Sequence, residues 1–344
     1  MTRQGKTGSL WHSLLPLLLS ITVSLSCSSD DSDTVPSVPE GKICVLFSTG
    51  GLGDGGYNDM LMRGLQQFRE DNPDVWLQHI SPDSAAEGVK LLNAWTEYHR
   101  GERLLCVLAG SEYEAIATSF YGLRGEDSTL TWRPDYLLFE SDNPEDLPLS
   151  AFRMSLFGAA YLCGKSVAQM GLRHPLLLLA HPSDKPTQWA AEGFRQGYGE
   201  ETQMQYLSET WEGFSMPEEA YRLMYDLTSM YDFIFGVAGA SNQGIYRYLR
   251  EYPINVWTIG RGWNQYYQSS QIIGNMVKRI DWVIEDYLSA WLKGEPLPDE
   301  ELLGLESGYV QWQTAPSYAV GLGNIVQDFG PEAALKEREY AATH

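Results

Sequence analysis

Gly51-Leu52-Gly53-Asp54-Gly55-Gly56 is the stretch of this chain whose residue types and spacing come nearest to a known binding chemistry. It fits G-x-G-x-x-G, follows an apolar run and precedes a helical pattern, so free backbone N–H groups at a helix start are expected to meet a polar ligand there. A dinucleotide also needs an acid at the end of the next strand to hold a ribose hydroxyl. That strand ends His79-Ile80-Ser81, which counts against a dinucleotide site. Ala159 to Ser166 (AAYLCGKS) satisfies a loose phosphate-loop pattern. A phosphate loop needs glycines between a strand and a helix. Here Phe157, Ala160, Tyr161, Gly164, Val167 and Ala168 follow one helical stripe instead, with Lys165 expected on the wet face.

Other catalytic patterns are missing. His12, His79, His99, His174, His181 and His344 show no metal-ligand spacing, and neither HExxH nor GxSxG occurs. No metal and no cofactor is expected. Cys44 and Cys106 lie in apolar runs and read, with Cys163, as buried free thiols. No C-x-x-C pair suggests a zinc site. Asp54 and Asp59 form the close pair of acids that a hydrolase would need near the glycines. Aromatic residues fall in predicted loops at Tyr57, Tyr113, Trp189, Phe214, Trp263, Tyr266 and Tyr267. At the mouth of a cleft such rings suit a flat or sugar-like ligand, since stacking one base is worth ~1–3 kcal/mol.

The elements that would carry these residues alternate regularly from Gly41 onward. Strands are predicted at Ile43–Phe47, Val75–Ile80, Leu104–Ala109 and Tyr136–Glu140, then at Leu176–Ala180, Gln203–Leu207, Phe233–Ala238 and Asn255–Ile259. Helical stretches separate them, which predicts an α/β fold of βαβ units around parallel sheets. Four units followed by four suggest two similar lobes. Ser84 with Glu87, and Ser215 with Glu218, read as capping boxes. Ile280, Val283, Ile284, Tyr287, Leu288 and Trp291 recur at helical spacing, and Lys293-Gly294 ends that helix. Ligands bind beyond the carboxyl ends of parallel strands, so the loops after Phe47, Ala109, Glu140, Ala180, Ala238 and Ile259 are where a site is expected.

The first 26 residues stand apart. Arg3 and Lys6 precede the apolar Leu14 to Leu25, which is too short to span a bilayer as a stable helix. Ser24-Leu25-Ser26-Cys27 follows and resembles a bacterial lipobox, although Ser24 stands where Leu is usual. Cys27 is the lipidation site this implies; an ordinary signal peptide or an uncleaved anchor is the alternative. Ser28 to Pro39 is acidic and almost free of apolar residues, so it reads as a disordered tether over residues 27–40. The formal net charge of the chain is −21, and removing residues 1–26, which hold two bases and no acid, takes it to −23. Such a surface repels phosphate backbones, so no nucleic-acid partner is expected.

FSTGGLGDGGYNDMLMRGL resembles the opening of the basic membrane protein family, the PnrA-like purine-nucleoside receptors. Looser matches follow in order through VLAGSEYEA, YLLFESDNP, FRMSLFGAAYLCGKSVAQMG, YDFIFGVAGASNQGIYRYLRE and VWTIGRGWNQ. The resemblance implies a type I periplasmic-binding-protein fold of two Rossmann-like lobes with three crossovers. It places residues 41–150 plus about 275–306 in an N-terminal lobe and 151–274 plus about 307–330 in a C-terminal lobe. It implies a solute-binding lipoprotein, expected as a monomer that meets the membrane only through its lipid; the acidic start of the tether resembles the export tag of surface lipoproteins in the Bacteroidota, so the periplasmic face or the cell surface of a Gram-negative bacterium is the expected location. That protein captures a small molecule, with a nucleoside as the leading class, for an ABC permease, and it is not an enzyme. By position, Tyr57 and Asn58 stand at the family's Phe-Asn, Phe214 at its second stacking ring, and Asp142, Gly239 and Lys278 at further contacts. Asp54 and Tyr113 join them as candidates from the adjoining loops. Two departures bear on the ligand. Ser48 replaces an Asp that contacts the base, and Gly262 replaces an Asp that grips the ribose. Arg261, Trp263 or Asn264 would then supply new contacts. A nucleoside or sugar hydrolase, or a ligand sensor without a transporter, are the competing classes.

Overall fold

In the computed structural model, which describes residues 41–123, 131–199, 201–262, 264–297 and 301–344, the leucine-rich and β-branched runs form strands sealed on both faces. Cys27, the apolar leader, the tether and Trp263 lie outside the described residues. Lys42–Phe47 (β1), Leu104–Ala109, Pro175–Leu179 and Phe233–Val237 are buried along nearly their whole length. Such strands need helices on both sides, and the chain supplies them by alternation.

The first sheet is built from β1, helix α1 (Tyr57–Asp71), β2 (Trp76–Ile80), α2 (Ala85–Tyr98), β3 (Leu104–Ala109), β4 (Asp135–Phe139) and β5 (Ser150–Met154). The chain then crosses over through α3 (Phe157–Gln169) into β6 (Pro175–Leu179), α4 (Lys185–Tyr198), β7 (Gln203–Tyr206), α5 (Pro217–Leu227), β8 (Phe233–Val237), α6 (Asn242–Glu251), β9 (Trp257–Gly260) and β10 (Ile272–Lys278). Helix α7 (Ile280–Lys293) packs on α1, and β11 (Glu301–Leu303) joins the first sheet. Strand β12 (Val310–Thr314) returns to the second, followed by α8 (Ala319–Leu322) and α9 (Ile325–Ala341).

The strand orders are β2-β1-β3-β4-β5-β11 and β7-β6-β8-β9-β10-β12. All pairs are parallel except β10 with β12. This is the two-lobed, three-crossover α/β fold expected from the sequence. In each lobe the order reverses between the first and third strands, at β1/β3 and at β6/β8. A crevice opens at such a switch point, beyond the strand ends.

Most local signals hold. Ser84 accepts the Glu87 N–H at 3.3 Å, and Gly294 ends α7 in the left-handed region. Ser215 differs: it donates to the Glu212 carbonyl, and α5 starts at Pro217 with no side-chain cap. Lys165 is half-buried rather than fully wet, with Nζ 5.0 Å from the Phe329 ring centre.

Candidate ligand-binding cleft

The residues beyond β1, β3 and β4 in one lobe meet those beyond β6, β8 and β9 in the other around a cavity of about 820 Å3, counted out to its mouth. A smaller space of about 310 Å3 adjoins it, and Arg261 lines both.

On the first lobe the wall begins with the glycine loop. Its N–H groups do not point outward. Asp54 accepts from the backbone N–H of Gly56 at 2.8 Å, Asn58 at 2.9 Å and Asp59 at 3.3 Å. Asp59 accepts from Gly53 at 2.7 Å and Gly55 at 2.9 Å. The acids of the loop thus satisfy the start of α1 that an anion would otherwise occupy. The same contacts tie up the acid pair on which a hydrolase reading would rest. Asn58 donates to the Gly51 carbonyl at 2.9 Å, while its Oδ1 is buried with no partner among the described residues.

Tyr57, the first residue of α1, lines the cavity. Lys278 Nζ lies 5.6 Å from its ring centre. Burial pushes the Tyr57 hydroxyl well above its ordinary pKa, and Glu140, Glu112, Asp184 and Asp54 add to the shift. Four carboxylates therefore converge on this part of the wall. Glu112 sits in the turn after β3, takes the Thr49 N–H at 2.8 Å and meets the Ser48 side chain. Burial raises its pKa against those two bonds. Glu140 follows β4 in the left-handed region, at φ 60°. It pairs with Lys278 and takes the Met154 N–H at 3.2 Å.

On the second lobe Asp184 caps α4 by accepting the Thr187 N–H at 2.9 Å, and it accepts the Ser111 hydroxyl across the cleft at 2.7 Å. Phe214 packs over Gly239, where a Cβ would come within 3.0 Å of its ring. Behind it Trp211 stacks at 6.0 Å and His181 on Trp211 at 4.6 Å, so Phe214 is braced by a row of rings. Arg261 follows β9. Its Nε and Nη1 are shut off from solvent and have no partner among the described residues.

The lips of the cleft touch. Gln265 donates from Nε2 to the Gly55 carbonyl and accepts the Arg261 N–H at 2.6 Å. Gln243 donates to the Asp54 carbonyl at 3.4 Å. Gly262 faces Gly55 and Gly56 so closely that a Cβ would stand 3.1 Å from the Gly55 carbonyl oxygen.

Ser48, Asp54, Tyr57, Asn58, Phe214, Gly239, Arg261 and Lys278 thus gather on one cavity. Tyr113 and Asp142 are not among its lining residues. Tyr113 is buried in the core, donating its hydroxyl to the Phe47 carbonyl at 2.5 Å. Asp142 pairs with Arg153 and with Lys185 at 3.3 Å. Trp263 lies outside the described residues, and Asn264 is an exposed residue in the left-handed region. Glu112, Glu140, Ser111, Asp184 and Thr187 line the cavity without having been singled out. The rule that sites follow strand ends covers Glu112, Glu140 and Asp184, but no local motif marks them. No group of metal-ligating side chains occurs among the described residues, and no helix among them is long and apolar enough to cross a membrane.

From residue 42 to residue 320 the chain matches the family model described as ABC transporter substrate-binding protein PnrA-like. No curated protein matches it. Among solved structures it is similar to an ABC transporter solute-binding protein from Aeropyrum pernix K1, at 20% identity and a TM-score of 0.64, covering 88% of this chain and 86% of that one. It is also similar to GanP, a glucose-galactose binding protein from Geobacillus stearothermophilus, at 14% identity and 0.57, covering 80% and 98%. A sugar transport component from Hahella chejuensis matches at 14% identity and 0.55, covering 80% and 100%. At these identities the likeness is one of fold.

Proposed function

We propose, for a chain that belongs to the PnrA-like family of ABC transporter substrate-binding proteins, that its cleft captures one small polar ring compound for ABC-type uptake, with a nucleoside as the leading class. The family is extracytoplasmic and is made of binding proteins, not enzymes. The observation that carries the reading is the pair of rings, Tyr57 from one lobe and Phe214 from the other, on one cavity. A flat ligand gains stacking energy from such rings, and a few convergent polar groups orient it. Closing the lobes excludes water and strengthens those bonds.

A thermal-shift screen over nucleosides, free bases and sugars tests this. A ligand at 100 times its dissociation constant adds ~2.7 kcal/mol of stability, so the transition should move by several degrees. A shift with sugars alone would replace the nucleoside class. Release of base or sugar from a nucleoside would overturn the binding role in favour of hydrolysis.

The tether and Cys27 extend the reading to a monomer lipid-anchored in the envelope of a Gram-negative bacterium. Metabolic labelling with a fatty acid checks it: wild type should incorporate label and Cys27→Ser should not.

A further inference from the structure

The acids in the wall of the cleft all have donors already. Asp54 holds three backbone N–H groups, Asp184 holds Thr187 and Ser111, Glu140 holds Lys278 and Met154, and Glu112 holds Thr49. Arg261 is the charged group of the wall that keeps unmatched donors. Nε and Nη1 of Arg261 and the Tyr57 hydroxyl, which can donate or accept, are sheltered with no partner among the described residues, as are the acceptors Asn58 Oδ1 and, in the adjoining space, Asn242 Oδ1. A guanidinium has five N–H donors and no acceptor, so only acceptor atoms can satisfy it.

The charge of Arg261 is a separate matter from its hydrogen bonds. Burial pulls its pKa down, while Tyr246, Asp184 and Glu140 act through space the other way. Asp54 and Glu112 stand in the same wall. An anionic ligand would meet Asp54, Glu112, Glu140 and Asp184, four acids against the two cations Arg261 and Lys278, in a medium that screens poorly. A neutral ligand meets no such barrier.

We propose that the ligand is uncharged and presents acceptor atoms to Arg261, so that the cleft prefers an oxo-substituted ring over its amino-substituted isostere. This rests on the ring-compound reading above and names its chemistry. Arginine meets the oxo edge of a 6-oxopurine through two acceptors, O6 and N7. An amino group in the same place leaves buried donors facing a donor, which costs more than a bond merely not made.

Calorimetric titration of the purified protein with inosine, adenosine and inosine 5′-monophosphate tests it. Inosine should bind at least tenfold more tightly than adenosine, and the monophosphate should bind more weakly than inosine. Arg261→Met should bring the inosine-to-adenosine ratio close to one, and Arg261→Lys should leave part of it. Equal binding of inosine and adenosine to wild type would overturn the inference and leave the nucleoside reading standing. Tighter binding of the monophosphate would overturn the uncharged ligand. Silence from all three would overturn the inference together with the reading it rests on. The wild-type ratio decides the matter even if a variant at position 261 fails to fold.

Discussion

Among the residues lining the cavity, Tyr57 and Phe214 are the aromatic ones, and each carries a distinct prediction at the scale of one side chain. Tyr57→Ala removes a stacking face worth ~1–3 kcal/mol, so the dissociation constant should rise about five- to 150-fold. Calorimetry with the identified ligand checks this; an unchanged affinity would remove Tyr57 from the binding role. Phe214 is braced by Trp211 and His181, so Phe214→Leu should weaken binding with little loss of fold stability. Lys278 behaves differently because its amine is paired with a carboxylate that is 5% exposed. Lys278→Met strands the Glu140 charge, and breaking a buried pair costs about 3–5 kcal/mol. Urea unfolding should show that loss, and adding Glu140→Leu should recover most of it. These two acids also show why site residues were only half legible. Glu140 and Asp142 are two positions apart beyond β4, and composition alone does not say which one turns inward. Tyr113 was equally ambiguous: a loop aromatic in sequence, yet its hydroxyl is committed to the Phe47 carbonyl beneath the strand end.

Elements were legible where one physical signal dominated. The sealed strands β1, β3, β6 and β8 announce themselves as continuous apolar runs. The crossover strands do not. β11 has only three residues, β12 reads Val-Gln-Trp-Gln-Thr with polar residues at alternate positions, and β5 carries the buried Arg153. Their existence is decided by what they pair with, not by their own composition. Glycines tell a similar story for helix contacts. The stretch that mimicked a phosphate loop is the tight seam between α3 and α4: a Cβ on Gly193 or Gly197 would collide with the backbone of Phe157 or Tyr161. Gly197→Ala should therefore destabilise the protein by about 1–3 kcal/mol, the usual cost of overpacking, without changing ligand preference. At the lips of the cleft, a Cβ on Gly262 would stand 3.1 Å from the Gly55 carbonyl oxygen and 3.3 Å from Gly56. The bare glycine lets the β9 loop close on Gly55 and Gly56. Gly262→Asp would place an acid where the sequence resemblance expects one, yet it should weaken binding by propping the lips apart. Tighter binding by that variant would mean that the apposition of the two glycine loops is not needed for closure.

At the scale of the whole molecule, charge decides the response to pH. The chain carries a formal −21, so the folded form repels itself at neutral pH. Burial raises the carboxyl pKa of Asp54, Glu112 and Glu337 above the ordinary range, against the hydrogen bonds that lower them. An acid whose folded pKa exceeds its unfolded one binds protons more readily when folded. Stability then rises as pH falls through the interval between the two values, and is lost as pH rises through it. Three groups act in the other direction. Exposed Glu102 and Glu218 are held low by their cationic partners, but that stability is lost only below the ordinary carboxylate range near pH 4. His79 is pushed down by burial and by Arg69, yet it too is largely exposed, and exposed charges shift stability little. The melting temperature should therefore rise between pH 8 and pH 5. At pH 8, added sodium chloride should raise it as well, since salt screens the surface repulsion. The buried carboxyls can be separated from the surface: Glu112→Gln removes one titrating group inside the cleft and should flatten the pH dependence, while the salt effect stays the same. A melting temperature that falls steadily from pH 8 to pH 5 would show that the buried acids are ionised at little cost in the folded protein.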